Sequence, residues 1–225
     1  MRSHDLPGGI AVHGRGAVKT AAAVATPPAT GDYYDATLQT RAIRLLPADY
    51  AVSDEPLAIV TLLDAAKALV TTDPETAAQF GRRALEIAPP HHPQRGEIVA
   101  TTAIALHIAG NSDEAIAFAD RALRETLPAA QEAEVRLSIA GMFATSPEIR
   151  IAAGRLALNL PDLSETLRAR HLACLFHNIV TAGRYEDARP VLEDARAAVE
   201  PVDDARASFT LQTAESALAY ADDRF

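Results

Sequence analysis

The stretch "AGNSDEAIAFADRAL" at 109–123 returns as "AGRYEDARPVLEDAR" at 182–196, with the two glycines 73 residues apart. A glycine that ends one helix, followed by polar residues and a small-residue helical pattern, is the mark of a repeated helix pair. Extending that register along the chain aligns Gly31, Thr72, Gly110, Thr145, Gly183 and Asp222, at spacings of 41, 38, 35, 38 and 39 residues. Helix-start chemistry follows these turns. Asp73 and Ser146 are side-chain caps, each ahead of a proline and a glutamate (Pro74–Glu75, Pro147–Glu148), and Ser112–Asp113–Glu114 serves without proline.

The helices after these turns carry small or apolar residues at helical spacing. The series are Ala77, Gly81, Ala84, Leu85 and Ala88; Ala115, Ala119, Ala122 and Leu123; and Ala188, Leu192, Ala195 and Val199. Gly81 and Gly154 share one repeat position with Ala119, which predicts close approach of a neighbouring helix there. Pro190 departs from the pattern and must sit in a first turn or kink its helix. Preceding helices are read from Val99, Ala103 and Leu106, and from Leu172, Leu175, Phe176 and Ile179.

The pattern predicts helix pairs at 56–88, 95–127, 132–160 and 165–199, with single helices at 34–46 and 205–221. Stacked in order, they make an all-α, right-handed α-solenoid of antiparallel pairs over 29–225. Residues 1–28, rich in Gly, Pro and Ala without period, read as a flexible leader. The final unit is half a repeat. Its Phe209, Leu211, Leu218 and Tyr220 predict an uncapped apolar face that another chain, self-association or further sequence would cover.

A net charge of −9 argues against a surface that tracks phosphates. The one cysteine, Cys174, excludes an internal disulfide and suits a reducing compartment, so a cytoplasmic location is expected. The short "TAAAVA" at 20–25 leaves secretion as the lesser alternative. No apolar run reaches a membrane-spanning length of about 18 residues.

At Gly110, Ala115, Ala122 and Leu123, at Gly183, Tyr185, Ala188, Leu192 and Ala195, and at Ala77, Ala84, Leu85 and Pro89, the chain resembles a degenerate tetratricopeptide repeat. The early tryptophan of that motif is missing, and the third pair keeps only Ala157 and Leu158. The units are longer than the family's period of about 34 residues. Together with "GDYYDATLQTRAIRLLPAD" at 31–49, the Ala/Arg-rich units look like the superhelical repeat region of large actinobacterial regulators, the MalT-like, ATP-dependent members of the LuxR family. That resemblance implies a truncated piece of a transcription regulator: a module without enzymatic activity, cofactor or metal that recognises a protein, a peptide or a small effector. The acidic balance and the lack of a visible helix-turn-helix pattern argue against direct contact with nucleic acid.

Three groups carry possible chemistry. "HGRGAVKTAAA" at 13–23 has the Lys19–Thr20 end of a phosphate loop, but Val18 replaces the glycine through which the backbone approaches phosphate. His171, Cys174 and His177 are spaced by three on one helix, whereas helical metal pairs favour a spacing of about four; Cys174 is expected in a repeat interface with one histidine solvated. His91–His92–Pro93 reads as an inter-helix loop, and Asp203–Asp204 and Asp222–Asp223 as helix-start acids. The expected binding surface is the concave face formed by the first helix of each pair: Ile59, Leu62, Ala66, Ile104, His107, Ile139, Met142, Arg170 and His177. Three other readings stay open at the level of sequence: a remnant NTPase with a degenerate phosphate loop, a stand-alone transcription factor, and a non-functional fragment of a larger regulator.

Overall fold

Several helix starts follow the capping chemistry. In a computed structural model that describes residues 55–222, Asp73 accepts from the Thr76 amide at 3.1 Å and Ser146 from the Ile149 amide at 3.3 Å, each ahead of its proline. Ser164 does the same for Leu167 at 3.3 Å, a cap that the repeat register does not single out. The described helices are α1 (Glu55–Leu69), α2 (Pro74–Ile87), α3 (Arg95–Ile108), α4 (Ser112–Leu123), α5 (Ala129–Ala140), α6 (Pro147–Leu158), α7 (Glu165–Thr181), α8 (Tyr185–Val199) and α9 (Ala205–Asp222). The chain is all-α, with no strand among the described residues. The expected leader, the phosphate-loop-like stretch and the helix expected at 34–46 lie outside the described residues.

Both glycines of the opening motif close a helix in the left-handed region, Gly110 at φ 86° and Gly183 at φ 72°. The bonds are the same at each site. Gly110 N donates to His107 O (3.0 Å) and Asn111 N to Leu106 O (2.9 Å), as Gly183 N does to Val180 O (2.9 Å) and Arg184 N to Ile179 O (3.1 Å). This double bond set satisfies the last helical carbonyls and turns the chain back. Ser112 departs from its expected capping role, because Asn111 holds the cap position of α4 without a side-chain bond. Pro190 lies in the second turn of α8, where it removes the amide that would bond the Glu186 carbonyl.

Each odd-numbered helix packs on its even partner and on the next odd helix, and each even helix also leans on the odd one that follows. The small residues lie in these contacts: Ala77, Ala84, Ala115, Ala119, Ala157, Ala188 and Ala195 are completely buried. Such side chains contribute little area each, but they let helix axes come close, which the aromatic-poor composition requires. The register between α5 and α7 is set by polar groups. His171 Nε2 bonds the Ala133 carbonyl at 3.0 Å, and Asn178 Nδ2 donates to the Ala140 carbonyl at 3.0 Å, both across a separation of 38 residues. Equal offsets at two points mean that the two helices run parallel. Salt bridges Lys67–Glu97, Arg82–Glu114, Arg170–Asp204 and Arg196–Glu215 add further links between helices of neighbouring pairs.

The two glycines at the shared repeat position differ. A Cβ on Gly81 would strike Thr102 Oγ1 and lie 3.1 Å from Thr102 Cβ, and that hydroxyl is tied to the Ile98 carbonyl at 2.7 Å. On Gly154 the nearest atom would be Leu175 Cβ at 3.5 Å, an ordinary contact. Of these two, only Gly81 is closely approached. Gly81→Ala is expected to lose about 1–3 kcal/mol by overpacking, and Gly154→Ala to gain up to about 1 kcal/mol from helix propensity. Urea midpoints of the two variants should move in opposite directions; a shared direction would contradict this packing.

The last helix also differs from expectation. Leu211 and Leu218 of α9 are buried in one apolar cluster with Phe176, Ile179 and Val199 of α7 and α8. Only Phe209 (71% exposed) and Tyr220 (62%) of the four residues remain outside. This helix thus turns Leu211 and Leu218 inward. Asp222 lies within α9 instead of starting a helix, and pairs with Arg189 at 2.8 Å.

Candidate functional site

The nine residues expected on the concave face separate into two sets. Ile59, Leu62, Ala66, Ile139 and Met142 are buried and unavailable as surface. The correction has a simple cause: the odd helices are covered by their even partners and by the adjacent odd helix, so most of their apolar positions become core. Ile104, His107, Arg170 and His177 keep partial exposure.

Two of these four each join a separate, larger constellation. Arg170 holds Asp204 through Nε at 2.9 Å and Nη2 at 2.6 Å. Asp204 in turn accepts from the Ala207 amide at 2.8 Å, the helix-start role expected of it. The Arg170 bond keeps the Asp204 carboxyl below its ordinary range, and the Asp204 bond raises the Arg170 guanidinium. Glu134 on α5 lies in the field of Arg170, Glu97, Arg206 and Lys67; burial lifts its carboxyl, opposed chiefly by Arg170. A charged row therefore crosses the odd helices from Lys67 to Arg206. Because its members are separated by about one repeat each, no local motif reveals it.

His177 belongs to a second cluster. Its ring meets Phe143 edge-on, with centroids 5.9 Å apart, and the Arg150 guanidinium lies 5.7 Å from the Phe143 centroid. Arg150 Nη1 donates to Asn178 Oδ1 at 2.9 Å. Asn178 Nδ2 donates to the Ala140 carbonyl and, at 3.6 Å, to Cys174 Sγ. Burial pushes the Cys174 thiol up to about 11, so it stays protonated and inert near neutral pH. Burial and then Arg150 lower His177, which keeps that ring neutral. The cluster thus holds a permanent cation, a neutral imidazole, an amide and a thiol, and no carboxylate.

The triplet His171, Cys174 and His177 does not converge on a metal. His171 is fully buried and bonded toward α5, while His177 is half-buried against Phe143 instead of solvated. Among the described residues no group of three or more His, Cys, Asp or Glu is placed to hold an ion. His107 Nδ1 bonds Ser112 Oγ at 3.0 Å, which gives that serine its actual role. His92 sits in the α2–α3 loop, where its carbonyl accepts from Gln131 Nε2 at 3.0 Å. A cleft lined by Tyr185, Glu186, Arg189, Ala221 and Asp222 lies between α8 and α9, with its arginine already paired to both acids. No helix among the described residues is long and apolar enough to cross a membrane.

Compared with known proteins, the chain matches no family model, no curated protein and no solved structure. The class that the fold itself defines is an all-α chain of packed, short-turned helix neighbours.

Proposed function

We propose that residues 55–222 form a degenerate tetratricopeptide-like α-solenoid, a recognition module without chemistry of its own. In this reading it binds a protein, a peptide or a small effector, and serves as the repeat region of a LuxR-type, ATP-dependent regulator. The observation that carries it is the repeated 38-residue register: two separate bonds link α5 to α7 at that one offset. The identical glycine turns after α3 and α7 support the same unit. Recognition would use the partly exposed Ile104, His107, Arg170 and His177, together with the charged row beside Arg170.

Two measurements test this. Mg–ATP should leave the thermal midpoint of the chain unchanged, because a ligand that binds the native state raises it; a rise would favour a nucleotide-using enzyme. Native-state hydrogen exchange should show protection highest in α3 to α7 and falling toward α1 and α9, as expected when stability is a sum of neighbour contacts. Uniform protection across all helices would remove the solenoid reading.

A further inference from the structure

We propose that Arg150, His177 and Phe143 form a binding site for a small oxyanion, a carboxylate or phosphate group. Arg150 is only 5% exposed, yet no carboxylate pairs with it among the described residues. A guanidinium cannot shed its proton to escape burial, as a lysine can. Its compensation consists of one amide oxygen, Asn178 Oδ1 at 2.9 Å, and one aromatic face, Phe143 at 5.7 Å. Arg150 Nε is buried without an acceptor, and His177 Nδ1 is buried without a hydrogen-bond partner.

The position compounds the cost. Arg150 is the fourth residue of α6, at the positive end of the helix dipole, where a cation is disfavoured and an anion favoured. An oxyanion between the guanidinium and the imidazole would supply the missing acceptor and the missing counter-charge together. Nothing in the cluster would repel it: Asn178 is neutral, Cys174 remains a thiol, and Arg150 and Phe143 are the groups set against His177. Phe143 is 67% exposed and sits on a loop rather than a helix, so its ring is the side chain that must swing aside for entry. This inference is independent of the repeat reading, since it needs only the local cluster.

The experiment titrates the whole chain with inorganic phosphate and, separately, with succinate, against sodium chloride at matched ionic strength. Calorimetry and thermal unfolding should show one-to-one binding and a raised midpoint for at least one of the two, and the stronger identifies phosphate or carboxylate as the preferred group. Arg150→Met should weaken that binding by about tenfold or more. Should Arg150→Met fail to fold, imidazole NMR of the parent serves instead: the bound oxyanion should move the His177 titration upward, since a nearby anion favours the charged ring. A parent that responds to neither oxyanion beyond chloride, an Arg150→Met variant that responds equally, or an unmoved His177 titration overturns the proposal.

Discussion

Replacing Gly96 by alanine is expected to destabilise the folded chain by about 3 kcal/mol, at the upper end of ordinary overpacking. Gly96 is the second residue of α3, and a Cβ there would lie 2.6 Å from both the Cα and the carbonyl oxygen of Gln131. Those are backbone atoms of α5, so no rotamer change can relieve the contact. Gln131 is also held in place, because its Nε2 donates to the His92 carbonyl at 3.0 Å and to the Pro93 carbonyl at 3.3 Å. On an isolated helix the same substitution would stabilise by about 1 kcal/mol. The sign is therefore the test: a urea midpoint for Gly96→Ala at or above that of the parent would mean that α3 and α5 are not this close.

Acidification should remove about 3 kcal/mol of stability through His171 alone, from a depression of its pKa to about 4 at 1.36 kcal/mol per unit. Burial is the main cause, partly opposed by the bond to the Ala133 carbonyl and reinforced by Arg136. A carbonyl can only accept, so Nε2 carries the hydrogen and Nδ1 is left buried without a partner. The unfolded chain takes up a proton below about pH 6.5, while the folded chain refuses it until about pH 4. Stability from this group is complete above the unfolded pKa and declines as pH falls between those two values. His107 and His177 are lowered as well and act in the same direction. His171→Gln keeps a donor for Ala133 but does not titrate, so its midpoint should fall less steeply over that interval. Equal pH slopes for parent and variant would show that His171 is not buried neutral.

The candidate site was legible only in part, for reasons visible at single residues. Repeat position on the first helix of each pair marks His177 and Arg170 as face residues. Arg150 carries no such mark, since nothing within α6 distinguishes an arginine that folds under Phe143 from one that points to solvent. Asn178 was equally silent: its bonds to Ala140 and Arg150 span 38 and 28 residues, beyond any helical window. Ile59, Leu62, Ala66, Ile139 and Met142 were misplaced because periodicity marks an apolar face without saying whether water or another helix meets it.

Glycine shows where the division falls. Gly110 and Gly183 were readable, because a positive φ after a helix is a local demand that a residue without Cβ meets. Gly96 and Gly154 were not, because their tolerance for a methyl depends on Gln131 and Leu175, atoms that arrive from other helices. Capping, turns and apolar spacing involve neighbours a few residues apart, so the sequence by itself determined the all-α character and the glycine turns at Gly110 and Gly183. Only the tertiary structure decided which faces became core, which glycine is crowded and where a cation lies buried without a counter-charge, because each of these depends on the distance between residues about one repeat apart.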